Sequence, residues 1–194
     1  MRQVMVRETV RFSGDYYQLP RTDGTGLGKA LKSTLHPARP TIPILLAAQG
    51  PKNVALSAEI ADGWIPAWFS PYASADAERA LADGFATREG GRPADFEVAC
   101  LVGAYVDDDL EKAADLARPR LALYIGGMGA KGRNFHYDAV ARLGFEAECA
   151  AVQEHYLAGR KAEAMAAIPV SLIEKIALVG PKEKIRDDLA AWRE

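Results

Sequence analysis

Apolar runs of strand length alternate along this chain with segments that have helical spacing. The run from Ile42 to Ala48 is continuously apolar and bounded by turn residues, which is typical of a strand covered on both faces in a parallel sheet. Gly50-Pro51 breaks this run. Lys52 to Ala61 then has the pattern of a helix, with Pro51 in a first turn that needs no N–H.

The same alternation continues for two more strands. Asp62-Gly63 ends the predicted helix and "WIPAWF" has the composition of the next strand. A helix is predicted from Pro71 to Glu89, and the apolar run from Phe96 to Val106 predicts a third strand. This β-α-β-α-β order predicts an α/β parallel sheet with right-handed crossovers. Three strands are few for a barrel or an open sheet, so the pattern indicates part of a fold.

The flanking segments give weaker patterns. Met1 to Val10 resembles a helix end, "RFSGDYYQLP" suits a short extended piece, and Arg21 to Pro40 is a long Gly- and Pro-containing loop. Asp109 is a good N-cap for a helix through Arg118. The remaining predictions are an apolar segment over 121–125, a Gly-rich loop "GGMGAKGRNFHYD", helices over 137–159, 160–167 and 170–176, and a turn and last helix in "ALVGPKEKIRDDLAAWRE".

Composition and charge exclude several classes of function. The 194 residues suffice for one domain, and 49% hydrophobic with 26% charged residues is ordinary for a globular protein. A net charge of -2 gives no reason to expect nucleic acid or an anionic membrane as partner. We see neither an apolar run of membrane-spanning length nor a signal peptide in the sequence. With only two cysteines, a reducing cytoplasm is the expected location.

Four stretches together resemble one known family. "IPILLAAQGPKNVALSAEIADGW", "SGDYYQLP", "YIGGMGAKGRNF" and "IALVGPKEKIRDDLAAWRE" are similar to the luciferase-like oxidoreductases, in particular to the branch that includes methylenetetrahydromethanopterin reductase. The resemblance covers essentially the whole chain. It implies a TIM barrel and the cofactor F420, a deazaflavin, with FMN as the alternative.

The resemblance also implies that the chain is one part of that barrel. It matches the portion with family strands five to seven, so residues 1–194 are expected to form a single partial (β/α)8 domain without the early strands and the last one. The implied activity is hydride transfer between F420 and an organic small-molecule substrate, or monooxygenation with FMN. The family's proton donors come from the early strands, so we name no catalytic residue.

The turn "AAQGPK" is the main candidate site. A small residue and glycine admit a close ligand, and the N–H groups that open the following helix attract an anion. The alternative is a tight βα turn without a ligand. With the resemblance, the predicted cofactor-binding residues are Ala47, Gln49, Gly50, Pro51, Lys52, Ala67 and Trp68. Trp68 is either a wall beside the cofactor ring or a buried aromatic, whereas Trp64 is expected in the core.

The other motifs give weaker evidence for a binding site. The second Gly-Pro-Lys, at Gly180, follows the helical pattern "SLIEKIALV" and is interpreted as a helix–helix turn. Lys131, Arg133 and His136 in the Gly-rich loop could hold the anionic tail of F420, although a mobile linker is the preferred interpretation. The three histidines have no metal-ligand spacing, so no metal is expected. Cys100 is predicted to be a core thiol in a strand.

Two alternatives belong to other functional classes. One is a non-catalytic remnant that pairs with a second copy or a complementary barrel fragment, because a partial barrel leaves sheet edges and apolar faces open. The other is a sugar- or phosphate-binding α/β module that uses the Gly-Pro turn as an anion site. A homo-oligomer or a complementary barrel fragment is therefore the expected protein partner.

Overall fold

The computed structural model describes residues 1–24 and 28–192. The chain divides into two compact units, Met1–Ile44 and Leu45–Glu194. Residues 25–27 of the predicted loop and the last two residues of the predicted final helix lie outside the described residues. The prediction of a single partial barrel domain over 1–194 stays a prediction.

The first unit consists of short elements. A helix α1 (Arg2–Met5) precedes an antiparallel pair, β1 (Phe12–Ser13) and β2 (Gln18–Leu19), in which Phe12 lies opposite Leu19. The predicted extended piece is therefore confirmed. The predicted helix over Met1–Val10 ends early because Arg7 has a φ of 59°, which an α-helix cannot contain.

The second unit begins with the predicted strand–helix–strand arrangement. Its first sheet is parallel, with strand order β3-β4-β5. Its elements are β3 (Leu45–Ala47), α2 (Pro51–Ile60), β4 (Gly63–Ile65), a 3-10 turn (Pro71–Ala73), α3 (Ala75–Thr87) and β5 (Glu97–Val98). The parallel α/β class and the placement of these strands and helices agree with the sequence pattern.

A second parallel sheet corrects one prediction. Strand β6 (Gly103–Val106) pairs with β7 (Ala177–Gly180). The interpretation of "SLIEKIALV" as helical throughout, followed by a helix–helix turn at Gly180, is therefore wrong. Every residue of β7 is buried, and it follows the last helical residue, Ile176, without a loop. A strand covered on both faces has no alternation that would separate it from an apolar helix.

The predicted third strand, Phe96–Val106, is divided between the two sheets. Its first part pairs with β4, and the Ala99 N–H still donates to the Trp64 carbonyl at 3.0 Å. Its last part, β6, pairs with β7. Cys100 lies between the two parts, outside either strand, and is half-buried rather than a core thiol.

Helices make up most of the remaining second unit. They are α4 (Leu110–Gly127), α5 (Phe135–Ala141), α6 (Glu146–Leu157), α7 (Lys161–Ala166), α8 (Val170–Ile176) and α9 (Lys182–Asp188), followed by a 3-10 turn (Leu189–Trp192). The Asp109 carboxylate caps α4 by accepting from the Glu111 and Lys112 N–H groups. The predicted helix over 137–159 is divided, since Gly144 between α5 and α6 has a φ of 93°.

Helix α4 is the centre of the main core. Ala113, Ala117, Leu121 and Ile125 are spaced four residues apart and almost fully buried, packed with residues of α6, α8 and β7 in one cluster. This buried face continues on both sides of Pro119, which is why the helix extends beyond the predicted end at Arg118 despite the missing N–H. No helix in the described ranges is long and apolar enough to cross a bilayer.

Candidate functional site

Two neighbouring strand ends form the frame of the site. Strands β3 and β4 are parallel and adjacent, with Ala47 opposite Ile65, so their following loops leave the same edge of the sheet. The Gln49 side-chain N–H donates to the Ala67 carbonyl at 2.6 Å, and the Trp64 indole N–H donates to the Ala48 carbonyl at 3.0 Å. These two hydrogen bonds hold the loops after β3 and β4 together.

The N-terminus of α2 opens at this edge. Gly50 has a φ of 76°, a conformation that favours glycine, and Pro51 is the first helical residue. No side chain caps the helix, and its first turn contains no acidic residue. The opening N–H groups of α2 therefore present partial positive charge without a side-chain acceptor.

A cavity of about 430 Å³ lies beside this helix end. Gly50 and Pro51 line it, together with Ser70 from the loop after β4. Ser70 is only 3% exposed, and its hydroxyl has no hydrogen-bond partner among the described residues. Burying an unpaired hydroxyl costs about 1–3 kcal/mol, so an acceptor that reaches this hydroxyl would stabilise the site.

Charged groups around this cavity, hereafter the anion cavity, favour a negative ligand. Arg142 and Arg79 line it on the side of α5 and α3, and Asp76 is the acidic residue among the described lining residues. Asp76 and Arg79 form an exposed ion pair at 3.4 Å. The remaining guanidinium of Arg142 and the start of α2 give the anion cavity a net positive lining.

Trp68 lines both the anion cavity and a second cavity of about 290 Å³. Its φ of 53° is rare for a bulky residue and is held by the surrounding contacts. Ala47 and Ala67 also line the second cavity. These three residues form an apolar wall. Because two of them are alanines, a flat ligand can approach this wall closely.

The second cavity, hereafter the aromatic cavity, contains a hydrogen-bonded ring cluster. The Trp68 indole N–H donates to Nδ1 of His136 at 2.9 Å, and Tyr124 makes edge contacts with both rings, at centroid distances of 5.3 and 4.7 Å. Asn134 fixes this arrangement, because its side chain donates to the carbonyls of Tyr124 and Ile125 and caps α5. The cap places His136 in the first turn of α5, beside α4.

His136 is neutral in this cluster. Burial lowers its pKa below the ordinary value of 6.5, and an Nδ1 atom that accepts from Trp68 belongs to the uncharged ring with its proton on Nε2. The unfolded chain takes up a proton at His136 as the pH falls below 6.5, before the folded chain does. The stability that neutral His136 contributes is therefore present above pH 6.5 and lost as the pH falls through the folded pKa.

We expect Trp68→Phe to raise the pKa of His136 towards its ordinary value. The substitution removes the N–H that favours the neutral imidazole while it keeps an aromatic ring. An NMR titration of the imidazole signals measures this shift, with His36 and His155 in the same spectra as internal references. An unchanged or lower His136 pKa in Trp68→Phe would contradict the role given to this hydrogen bond.

The structure brings most of the predicted site residues together. Gln49, Gly50, Pro51, Ala67 and Trp68 line the anion cavity, and Ala47, Ala67 and Trp68 line the aromatic cavity. Lys52 is exposed and lines neither. Trp64 is buried in the core as expected, with 4% exposure. Whether these residues bind a cofactor stays a prediction.

Of the Gly-rich loop candidates, only His136 lines a cavity described here. Lys131 and Arg133 are exposed and line neither the anion nor the aromatic cavity. The sequence interpretation missed Ser70 and Asn134. Ser70 lies five residues beyond β4, so its position after a strand end was a signal that could have identified it. Asn134 offered no signal beyond the ordinary preference of asparagine for a helix N-cap.

Comparisons with known proteins identify the family of this chain. The family model described as luciferase-like monooxygenase matches residues 1–194. A Mycobacterium tuberculosis protein, provisionally named a coenzyme F420-dependent oxidoreductase, is 44% identical over 197 residues, which cover 99% of this chain and 56% of the relative. The chain belongs to the luciferase-like monooxygenase family. It spans about half the length of the curated relative it matches.

Solved structures support the luciferase-like fold. The coenzyme F420-dependent tetrahydromethanopterin reductase from Methanopyrus kandleri matches with a TM-score of 0.75 and 21% identity, over 98% of this chain and 50% of that one. An F420-dependent secondary alcohol dehydrogenase, solved with an F420-acetone adduct, matches with a TM-score of 0.58 and 19% identity, over 97% and 49% of the two chains. At these identities the matches establish the fold alone.

Proposed function

We propose that this chain carries the cofactor-binding part of an F420-dependent oxidoreductase and that its anion cavity holds the F420 phosphate. One observation carries the proposal: Ser70, whose buried hydroxyl is unpaired, and the uncapped start of α2 line the same cavity. A phosphate oxygen would accept from both, which removes the cost of an unpaired buried donor and uses the positive end of the helix.

The other residues fit a cofactor that extends from this phosphate. Ala67 and Trp68 line both cavities, so a ligand anchored beside Gly50 would pass along them into the aromatic cavity. Ala47 adds a small side chain where a flat ring would lie, and Trp68 offers apolar surface for it. The fit is therefore to a phosphate at one end and a planar ring system at the other, which F420 and FMN share.

Bound F420 would supply the hydride chemistry, because a deazaflavin carries a hydride to or from an organic substrate. The residues of this chain orient the cofactor and exclude water from one side of it. The hydrogen bond from Gln49 to Ala67 fixes the two loops that would hold the phosphate. His136 accepts a hydrogen bond from Trp68 and thereby fixes the orientation of the indole beside the ring.

F420 is favoured over FMN by the relatives. The 44% identical protein is named for F420, and the two proteins with similar solved structures are F420-dependent as well. Those two proteins are named for small organic compounds, a pterin and an alcohol. We propose a small organic substrate here too, and an interaction with a second copy or a complementary barrel fragment remains a proposal.

A titration of the purified chain with F420 and with FMN tests the proposed function. Cofactor fluorescence reports binding, and circular dichroism of the same sample confirms that the chain is folded. We expect saturable binding of F420 and weaker binding of FMN. A folded chain that binds neither would contradict the proposed site, and stronger binding of FMN would assign the chain to flavin-dependent chemistry.

A further inference from the structure

The aromatic cavity carries a single charged group among its described lining residues. Its walls are largely apolar, with Ile65, Leu101, Leu121 and Ile176 among them, and no Asp, Glu or Lys lines it. His136 is neutral because it is partly buried and its Nδ1 accepts from Trp68. The guanidinium of Arg120, in α4, therefore gives the cavity a net charge of about +1.

Arg120 is an exposed residue whose guanidinium packs against two aromatic rings. Its guanidinium carbon lies 5.6 Å from the ring centroids of both Trp68 and Tyr124. Within the described ranges it forms no ion pair and donates no hydrogen bond. A guanidinium that rests against aromatic rings uses its flat faces and keeps the N–H donors at its edge available.

Arg118, two residues earlier in the same helix, shows the contrasting case. It pairs with Glu111 at 2.9 Å and with Asp115, and it donates to the carbonyl of Ile168 at 3.1 Å. Its donors are thus used by its own helix and by the segment before α8. Arg118 is partly buried whereas Arg120 is exposed, so the donors of Arg120 remain available to a ligand.

We propose that Arg120 is the anion-recognition residue of the aromatic cavity and that its ligand is an organic carboxylate with an apolar body. The proposal rests on the proposed function, because it assigns this group to the substrate of the same site and not to the cofactor. Two in-plane N–H donors of a guanidinium match the two oxygens of a carboxylate. One cation balances one carboxylate charge, and no further cation lines the cavity to balance the second charge of a phosphate monoester.

The apolar walls define the rest of this substrate. Leu101, Leu121 and Ile176 offer surface to an aliphatic or aromatic body. The tyrosines Tyr105 and Tyr124, which carry hydroxyls, are also among the lining residues. They suit one further oxygen on the ligand, such as a carbonyl or a hydroxyl, which is the group that a hydride-transfer enzyme oxidises or reduces.

Binding of acids and their matching amides tests this assignment. Acetate, hexanoate and benzoate are each titrated into the chain against acetamide, hexanamide and benzamide, with NMR of the Arg and Trp side-chain N–H signals as readout. We expect at least one acid to bind about tenfold more tightly than its amide. In Arg120→Gln this preference should disappear, and in Arg120→Lys it should be reduced, because an ammonium lacks the paired geometry.

Two controls separate this proposal from the function on which it rests. Arg186→Gln removes the same charge from an exposed position in α9 that lines neither cavity, and it should keep the preference for the acid. F420 affinity is measured in the same variants. In Arg120→Gln it should change less than the acid preference does, because Arg120 contacts Trp68 but does not line the cavity proposed for the phosphate.

The outcomes are distinct. Equal binding of every acid and its amide by the wild-type chain, or a preference that survives in Arg120→Gln, would overturn the assignment of Arg120. A large loss of F420 affinity in Arg120→Gln would place the guanidinium on the cofactor and overturn it as well. Failure of F420 to bind the wild-type chain, with the acid preference intact, would contradict the proposed function alone.

Discussion

Replacing Ser70 with alanine is expected to stabilise the ligand-free chain and to weaken its binding of F420. Without a ligand, the Ser70 hydroxyl is buried and unpaired, so its removal should raise the free energy of unfolding by about 1 kcal/mol. With the phosphate in the anion cavity, the same hydroxyl would donate to a charged acceptor. Its loss should then cost about tenfold in affinity. Opposite signs for stability and affinity are characteristic of a binding group.

Ser57 provides the matched control for Ser70→Ala. Its side chain is also buried, but its hydroxyl donates to the Asn53 carbonyl at 2.9 Å. Ser57→Ala loses a hydrogen bond worth about 1 kcal/mol and gains about 0.5 kcal/mol of helix propensity, so it should not stabilise the chain. Urea denaturation and cofactor fluorescence measure the two quantities. A Ser70→Ala chain that is destabilised, or that binds F420 as the wild type does, would show that the hydroxyl has no ligand.

A negative charge at the start of α2 should have the larger effect on affinity. Pro51 lines the anion cavity at the first helical position, and glutamate there would interact with the same N–H groups as the phosphate. We expect Pro51→Glu to weaken F420 binding by about tenfold or more at low ionic strength, and by less at high salt. The stability of the chain should change little, because the gain from the helix dipole offsets the loss of the proline ring.

Pro51→Gln separates charge from shape in this experiment. It removes the same ring and introduces a side chain of the same size without the charge, so its F420 affinity should stay within about twofold of the wild type. Fluorescence titrations of both variants at two salt concentrations give the comparison. Equal losses in Pro51→Glu and Pro51→Gln would mean that the proline ring matters and that no anion binds beside it.

The first strand–helix–strand unit could be predicted from the sequence because local and tertiary preferences agree there. An apolar run, a glycine with positive φ and a proline at the first helical position all indicate the same βα turn. The predicted site residues at this turn were accordingly placed together, with Lys52 as the exception. Its side chain is exposed in the first turn of α2. The residue type alone does not determine whether a side chain there faces the solvent or the cavity.

Strand β7 could not be predicted because tertiary contacts define it. Leu172, Ile173 and Ile176 form a helical face, and the apolar residues of β7 continue that spacing without a break. Only pairing with β6 makes residues 177–180 extended. The second Gly-Pro-Lys therefore follows a strand, as the first one does, although the helix after it has seven residues and no ligand is assigned there.

The polar groups of the two cavities could not be predicted from the sequence for a different reason. Trp68 and His136 are 68 residues apart in the chain, and their hydrogen bond depends on the Asn134 cap and on the packing of α5 against α4. The unpaired state of Ser70 is a property of its surroundings and has no sequence pattern at all. The sequence therefore predicts the turn at Gly50, and the structure identifies Ser70 and His136 as polar residues that line the two cavities.

The most direct test of the central claim compares F420 with its deazaflavin core lacking the phosphate and the side chain beyond it. Both are titrated into the folded wild-type chain and into Ser70→Ala, with cofactor fluorescence as the readout. The account predicts that F420 binds about tenfold or more tightly than the core to the wild type, and that Ser70→Ala reduces this difference. Equal affinity of F420 and its core for the wild-type chain would show that the anion cavity does not bind the phosphate and would contradict the proposed site.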